Sequence, residues 1–386
     1  MLSIKSKYTI DLLTIKPNTN TIYNLYQYYN KIYFLQKNTN KDKLAQHSLL
    51  MKSIRKIKNL IFVPIESNVM FIPSLDIQLQ SQIQNIVQYH QYNAIYIFGS
   101  TFFGFYLNNL QHKNVICDVI DSNNLYFFAE LKQNLLKNKK LIKPFCDFIN
   151  LIHNIRWEKK FLKNCQKFIT ITEKDKHFFS KSIKDKNIYV VPNGVDTDYW
   201  SPEWAMPGKT LGLIVFFGVM SYKPNHDAAM YILHKIWPKI QKLVPGVRFR
   251  IIGKNPLQGL LEEARHFKEV EVTGTVPDIR EAVRGACVFL CPMRLGSGMK
   301  NKILESMAMG IPVVVNPNAA EGIDMTNGKE GYISDDPDML AEFAAKLAVR
   351  QGAWEEKSSN CLKLVRSKYS WSAQGVLLSK ILDGDY

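Results

Sequence analysis

The segment Pro292-Met-Arg-Leu-Gly-Ser-Gly-Met-Lys-Asn-Lys-Ile-Leu-Glu-Ser-Met-Ala-Met-Gly310 is the most informative part of this chain. It follows an apolar run that ends at Leu290, and it predicts a buried strand, a Gly-Ser-Gly turn and a helix that begins near Met299. Glycines let a backbone approach an anion closely, and the first N–H groups of a helix have no partner within it. Lys300 and Lys302 add positive charge at the same place. The segment therefore predicts an anion site where a strand leads into a helix.

Glu305 lies about one helical turn inside that helix. Its carboxylate can accept hydrogen bonds from vicinal hydroxyls, such as those of a ribose. The alternative for the same residues is an ordinary turn with two solvated lysines. A Gly-x-Gly pattern by itself does not separate the two interpretations.

Other strand-to-helix turns in the second half also contain glycine, and ligands of open parallel sheets bind beyond the carboxyl ends of the strands. Phe216-Phe-Gly218 closes one strand, and Asn225 is a good N-cap for the helix that follows. The segments Ile251–Pro256 and Thr273–Asp278 end two more strands, so their backbone groups can wall a nucleobase pocket. A plain cap and plain turns are the alternatives there.

Strand and helix patterns alternate throughout the second half. The predicted strands are Leu213–Phe217, Phe249–Ile252, Glu271–Thr273, Val288–Leu290 and Pro312–Val315. The predicted helices span about 226–243, 257–267, 278–285, 300–309 and 337–349. Continuous apolar strands between helices indicate a parallel sheet that is covered on both faces. The sequence thus predicts the α/β class, with two doubly wound domains in tandem.

The first half differs from the second in composition. Residues 1–200 contain 27 Lys and Arg against 14 Asp and Glu, and three of the 20 glycines. Short β-rich runs recur there, namely Tyr8–Ile15, Lys31–Gln36, Leu60–Ile65, Ala94–Gly99, Val115–Ile120, Phe168–Thr172 and Ile188–Val191. The change near 196–208 fits a domain boundary, although a junction of two pieces of different origin would look the same.

Four motifs in order carry a family resemblance. They are Val190-Val-Pro-Asn-Gly-Val-Asp196, Phe217-Gly-Val-Met-Ser-Tyr-Lys-Pro-Asn-His-Asp-Ala228, Gly296-Ser-Gly-Met-Lys-Asn-Lys-Ile-Leu-Glu305 and Ile311-Pro-Val-Val314. Together they resemble the retaining glycosyltransferases of family 4, which have the GT-B fold. The resemblance implies two Rossmann-like domains facing across a cleft. The expected domains are 1–197 on the acceptor side, 198–370 for the nucleotide-sugar donor, and a helix at 371–386 that crosses back to the first.

The resemblance also implies roles for individual residues. Glu305 matches the glutamate that holds the ribose, Lys300 and Lys302 match basic positions that face the diphosphate, and the acidic loop Cys117–Asp121 resembles the acceptor side. The residues expected to act in catalysis are Lys300, Lys302, Asp118 and Asp121. Those expected to bind the donor are Gly218, Asn225, Gly253, Thr275, Val276, Arg294, Gly296, Ser297, Gly298, Met299 and Glu305. Neither a metal ion nor a cofactor is expected.

Three departures from the family pattern stand out. The first motif glutamate would fall at Ser297, and many members have an arginine where this chain has Val219. The segment Tyr8–Ile15 looks like the second strand of such a domain, so the first strand and its loop are expected to be missing. These departures keep open an alternative, a catalytically impaired GT-B scaffold that binds a partner.

The net charge of +16 bears on partners and location. A basic first half favours an anionic membrane surface or a polyanionic acceptor, whereas a solvated lysine-rich surface is the plain alternative. The expected partners are a nucleotide-sugar donor and a glycan or lipid-linked acceptor. Nucleic acid is not expected, because the aromatic residues fall in apolar runs and not among the basic tracts. With no signal pattern and no long apolar run, a cytoplasmic location is expected, peripheral at the inner face of the membrane.

Overall fold

The structure is a computed structural model, and it describes residues 11–15, 31–35, 84–90, 92–98, 112, 114–119, 148, 152, 165–182, 187–205, 212–296, 298–350 and 354–385. The chain divides into two compact units. The N-terminal unit comprises Met1–Thr170 and Asp175–Tyr189, and the C-terminal unit comprises Ile171–Lys174 and Val190–Tyr386.

The N-terminal unit contains two groups of paired strands. Strands β1 (Asp11–Ile15) and β2 (Lys31–Leu35) pair in parallel. A second sheet has the order β3-β4-β5-β6 and contains β3 (Ile95–Phe98), β4 (Val115–Asp118), β5 (Lys167–Thr170) and β6 (Asn187–Val190). Helix α1 (Glu173–Ser182) follows β5, and residues 84–90 are helical. The predicted strand Leu60–Ile65 lies outside the described residues.

The C-terminal unit is built on a six-stranded sheet with the order β12-β11-β10-β7-β8-β9, in which every pair is parallel. Its strands are β7 (Leu213–Phe217), β8 (Arg248–Ile252), β9 (Val270–Gly274), β10 (Val288–Cys291), β11 (Val313–Val315) and β12 (Gly331–Ile333). All residues of β7, β10 and β11 are buried, because helices cover both faces of a parallel sheet.

The helices of this unit alternate with its strands. They are α2 (Pro202–Ala205), α3 (Lys223–Tyr231), α4 (Trp237–Leu243), α5 (Gln258–Ala264), α6 (Ile279–Ala282), α7 (Asn301–Ala308), α8 (Pro317–Ala320), α9 (Pro337–Ala348), α10 (Trp354–Leu364) and α11 (Trp371–Asp383). The predicted α/β class is confirmed by this alternation.

One predicted helix is interrupted. The pattern predicts a single helix over 226–243, whereas a π-helical turn at Ile232–Ile236 separates α3 from α4. The N–H of Trp237 bonds to the carbonyl of Ile232, five residues back. Pro238 follows and has no N–H, and its ring needs space in the preceding turn, so the helix widens just before it.

Candidate functional site

The strand order of the C-terminal sheet reverses between β7 and β10. The chain enters the sheet at β7, extends through β8 and β9 on one side, and then crosses to β10, β11 and β12 on the other. The connections on the two sides leave opposite faces, so a gap opens beyond the carboxyl ends of β7 and β10. This gap, called the crevice below, is where doubly wound sheets bind their ligands.

Backbone segments meet closely at the crevice. The N–H of Gly218, which follows β7, donates to the carbonyl of Ile252 at 3.0 Å. A Cβ atom at Gly253 would stand 1.8 Å from the Gly218 oxygen, and one at Gly218 would stand 2.6 Å from Asn225 Nδ2. Only glycine fits at either position, so the sequence pattern of glycine at these strand ends has a steric cause.

Lys302 projects its amine into this corner. Its Nζ donates to Asn225 Oδ1, lies 4.9 Å from the centroid of the Phe216 ring, and would be 2.9 Å from a Cβ at Gly218. Burial lowers the pKa of Lys302, and the neighbouring Cys291 and Glu305 partly oppose that shift. Burial also raises the pKa of the Cys291 thiol to about 11. Lys302 is therefore a half-buried cation whose charge is only partly compensated by Glu305.

Asn225 has a different role from the predicted one. The structure starts α3 at Lys223, with Tyr222 in the N-cap position, so the prediction of Asn225 as the N-cap is wrong. Proline at the first turn starts the helix earlier. The buried Asn225 side chain instead donates to the Val219 carbonyl at 3.0 Å and accepts from Lys302. It thereby joins the loop after β7 to α7.

Glu305 is half-buried on α7, close enough to Lys302 for the two charges to interact. Burial raises the pKa of its carboxyl, and Lys302 partly opposes the rise. Among the described residues, none donates a hydrogen bond to this carboxylate. A partly buried acceptor without a donor is suited to bind hydroxyl groups of a ligand.

Side chains bind the carbonyl oxygens of Gly296 and Gly298, two residues that are together called the glycine turn below. Lys300 is 7% exposed, and its Nζ donates to the oxygens of Gly298 at 2.6 Å and Gly296 at 3.4 Å. Asn318 Nδ2 also donates to Gly296, at 3.3 Å, and to Met293 at 2.9 Å. The two catalytic lysine candidates therefore point at different targets.

Among the residues that the structure describes, several N–H groups of the same loop lack an acceptor. Within residues 212–296 and 298–350, no oxygen accepts from the N–H of Gly298, Met299, Asn301 or Lys302. Gly298 and Met299 are buried residues. Backbone donors without a protein partner at a helix start form an anion site when they converge on a cavity.

The remaining donor-side candidates take varied positions. Arg294 is bound to Asp227 of α3 through Nε at 3.0 Å and Nη2 at 2.7 Å, and its guanidinium lies over the Tyr231 ring. Thr275 is exposed and Val276 half-buried in the loop after β9, and Met299 is 9% exposed. Ser297 lies outside the described residues. The binding roles expected of these residues stay predictions.

Sequence reasoning missed two asparagines and one aspartate that shape the loop after β10. Asn316 and Asn318 both donate to the Met293 carbonyl, and Asp227 holds Arg294. A signal for the asparagines existed, because Asn316-Pro-Asn318 follows β11 and therefore reaches the same edge of the sheet. Asp227 gave no such signal, since it lies within a helix.

The acceptor-side candidates belong to the N-terminal unit. Asp118 ends β4 and accepts a hydrogen bond from the hydroxyl of Tyr96 on β3. Burial and the adjacent Asp118 raise the pKa of Tyr96 well above its usual value. Asp121 lies outside the described residues. Among those described, no group of three or more His, Cys, Asp or Glu side chains could hold a metal ion.

Comparison with known proteins relates the chain to glycosyltransferases. Residues 212–349 match the family described as Glycosyl transferases group 1. An uncharacterized 44.6 kDa protein of the cps region of Klebsiella pneumoniae is 23% identical over 164 residues, which are 40% of this chain and 42% of that protein. A phosphatidylinositol N-acetylglucosaminyltransferase component of Arabidopsis thaliana is 28% identical over 152 residues, 38% of this chain and 33% of that protein. The alignments thus span less than half of either relative.

Solved structures resemble the whole chain. A glycosyltransferase from Rickettsia africae ESF-5 has a TM-score of 0.63 at 12% identity and covers 98% of both chains. Anabaena HepE in complex with UDP has a TM-score of 0.63 at 11% identity, covering 98% of this chain and 100% of its own. Sucrose-phosphate synthase from Thermosynechococcus elongatus has a TM-score of 0.61 at 12% identity, covering 98% and 99%. These structures show that the chain has the GT-B fold. The family match of residues 212–349 confirms the expected resemblance to group 1 glycosyltransferases.

A helix that crosses a bilayer must be both long and apolar. None of the described helices combines these two properties.

Proposed function

We propose that this protein moves a sugar from a nucleoside diphosphate donor to an acceptor hydroxyl with retention of configuration. The GT-B fold and the match of residues 212–349 to group 1 glycosyl transferases support the proposal. The observation that carries this proposal is the arrangement at the crevice. Among the residues that the structure describes there, a half-buried ammonium (Lys302) and a half-buried carboxylate without a hydrogen-bond donor (Glu305) lie near backbone N–H groups that have no acceptor.

The charges match the two parts of such a donor. A partly desolvated cation without full compensation is costly, and a diphosphate would supply the opposite charge to Lys302. The free N–H groups of Gly298 and Met299 would bind phosphate oxygens, and Glu305 would accept from the ribose hydroxyls. That Anabaena HepE has been solved with UDP and with UDP-glucose supports a nucleotide-sugar donor for this fold.

The chemistry asked of the protein is electrostatic. As the sugar–phosphate bond breaks, negative charge grows on the leaving diphosphate, and Lys302 with the helix-start N–H groups would stabilise that charge. The acceptor hydroxyl would attack the anomeric carbon from the face that the diphosphate leaves, and its proton would pass to the departing phosphate oxygen. No side chain would act as a nucleophile. This scheme assigns no step to a metal ion or a cofactor. Asp118 and Asp121 are proposed to contact the acceptor.

The acceptor is proposed to be a glycan or a lipid-linked saccharide at an anionic membrane surface. The basic character of residues 1–200 supports this, because lysines near anionic lipid are attracted by about 1 kcal/mol each. Flotation with liposomes should show binding that increases with the fraction of anionic lipid. Equal binding to neutral and anionic liposomes would refute the membrane proposal without affecting the donor site.

A second candidate is a GT-B scaffold without transfer activity, which the serine at position 297 favours. Transfer or donor hydrolysis at a measurable rate would exclude it.

The direct test of the donor site is to measure the nucleotide affinity of Glu305→Ala. Calorimetric titration with UDP, GDP, ADP, CDP and dTDP first identifies the preferred diphosphate. We expect Glu305→Ala to bind that diphosphate about 10- to 100-fold more weakly, because a hydrogen bond to a charged group is worth about 1.5–3 kcal/mol.

The matched control is Glu342→Ala, which removes the same charge from an exposed position on α9. It should leave the affinity unchanged. If Glu305→Ala binds as tightly as the wild-type protein, Glu305 does not hold the nucleotide and the proposal loses its main support.

A further inference from the structure

The two lysines of the sequence motif are not equivalent in the structure. The amine of Lys302 reaches the crevice, where it meets Asn225 and the face of the Phe216 ring. The amine of Lys300, only two residues earlier, points back into its own loop and donates to the oxygens of Gly296 and Gly298. The two lysines at the start of α7 therefore bind different partners.

Side-chain donors bind the carbonyl groups of Gly296 and Gly298. Gly298 has one such donor, Lys300. Gly296 has two, since Asn318 Nδ2 donates to it at 3.3 Å in addition to Lys300. The hydrogen bonds of Lys300 are charge-assisted because their donor is an ammonium group. They are also shielded from water, because Lys300 is only 7% exposed.

The direction of one carbonyl determines the direction of the next N–H. A peptide unit is planar and trans, so its C=O and N–H point to opposite sides. When Lys300 binds the Gly298 oxygen, the N–H of Met299 in the same peptide unit must point away from the lysine. Gly298 has a φ of +74°, a conformation that a glycine adopts without cost but does not hold by itself. The turn therefore needs an external contact to hold it.

We propose that Lys300 is a positioning residue that acts through the glycine turn and does not touch the diphosphate. Its ammonium holds the oxygens of Gly296 and Gly298 and thereby directs the N–H of Met299 toward the anion. Lys302 alone supplies formal charge to the ligand. This assignment rests on the proposed function, because it concerns how the same crevice binds a diphosphate.

The experiment compares Lys300→Met, Lys300→Gln and Lys302→Met, with UDP as the probe for calorimetric titration at several salt concentrations. Methionine and glutamine have similar shapes, but only glutamine keeps a donor for the carbonyl groups. For Lys300→Met we expect about a tenfold weaker affinity, and for Lys300→Gln a loss of no more than about threefold. The salt dependence of the affinity should be retained in both Lys300 variants and reduced in Lys302→Met, because only a direct ionic contact is screened in this way.

A coupling measurement provides a second readout. Asn318→Ala removes the other donor to Gly296, so its effect on UDP affinity should be non-additive with that of Lys300→Met and additive with that of Lys302→Met. Equal losses in Lys300→Met and Lys300→Gln, together with a reduced salt dependence, would overturn the proposal and make Lys300 a direct ligand.

Crystal structures of the variants separate this proposal from the proposed function. A displaced glycine turn in Lys300→Met and an unchanged turn in Lys302→Met support positioning, whether or not UDP binds. An unchanged turn in Lys300→Met refutes it. If Lys300→Met does not fold, the affinity and the structure of Lys300→Gln decide. Failure of the wild-type protein to bind any nucleoside diphosphate would instead refute the proposed function.

Discussion

Lys302→Met is expected to lower the rate of sugar transfer by about 10²- to 10³-fold while the protein remains folded. Removing a single preorganised group that stabilises developing negative charge typically has this effect on turnover. The amine of Lys302 donates to Asn225 at the crevice, whereas the amine of Lys300 donates to the Gly298 carbonyl. Methionine fills a similar space, so the loss would be one of charge and not of packing.

The stability of Lys302→Met should differ from that of an ordinary core variant. Burial lowers the pKa of Lys302, which means that folding disfavours its charged form. Methionine removes this desolvation cost, but it leaves Asn225 Oδ1 without the amine. The two effects oppose each other, so we expect the free energy of unfolding to stay within about 1 kcal/mol of the wild-type value.

The pH dependence gives an independent check of the same burial. Between the lowered pKa of folded Lys302 and its ordinary value of 10.5, the unfolded chain binds more protons than the folded one. The free energy of unfolding of the wild-type protein therefore rises with pH in that window through this group. Lys302→Met should lack this rise. Chemical denaturation at several alkaline pH values measures the difference. The control is Lys346→Met on the exposed side of α9, which should change neither transfer nor this pH dependence.

Wild-type transfer rates in Lys302→Met would show that the crevice binds no diphosphate through this amine. Loss of transfer together with a loss of several kcal/mol in stability would assign Lys302 to the core.

Gly253→Ala is expected to destabilise the C-terminal unit by about 3 kcal/mol or more, at the upper end of what overpacking causes. The added Cβ would stand 1.8 Å from the Gly218 carbonyl oxygen and 2.8 Å from its carbon. Both are backbone atoms, so no side-chain rotation relieves the clash. Strand ends β7 and β8 would have to separate at the crevice, and nucleotide affinity should fall with stability.

Gly259→Ala is the matched control for that substitution. Gly259 lies in α5, where an added Cβ would meet no heavy atom within 4 Å, and it does not have a positive φ. Alanine there should stabilise the protein by about 0.5–1 kcal/mol, since glycine is a poor helix former. Urea denaturation of both variants measures the contrast. Equal stabilities would mean that the backbones of Gly218 and Gly253 are not in contact.

The sequence predicted five of the six strands of the C-terminal sheet, and burial is complete in three of these five. Strands β7, β10 and β11 are continuous apolar runs, and such runs have no other stable place in a water-soluble sheet protein. Strand β12 was not predicted, because it has only three residues and begins with a glycine, Gly331. Pairing with β11 requires glycine at this position, since a Cβ atom there would stand 1.9 Å from the Val313 oxygen. Helix α10 was missed because polar residues dominate Trp354–Leu364.

The positions of the candidate residues in the fold were predicted, but their contacts were not. Sequence placed Gly218, Lys302 and Glu305 at one edge of one sheet, because strand ends and helix starts alternate there. It did not distinguish Lys300 from Lys302, since the direction of each amine depends on the conformation of the glycine turn. The sequence also predicted Asn225 as the N-cap of α3. The helix instead begins at Lys223, because Pro224 is favoured in the first turn of a helix.

The strand order has a consequence for how the chain matures. A growing polypeptide completes β7, β8 and β9 at Gly274, whereas the neighbour on the other side of β7 starts only at Val288. Until that neighbour is synthesised, one edge of β7 presents unpaired peptide groups beside five apolar side chains, which is a template for association with other nascent chains. Ribosomal pausing in this interval would expose the protein to aggregation. The edge of β7 that pairs with β10 is therefore the last edge of β7 to be paired, and the proposed donor site lies where these two strands end.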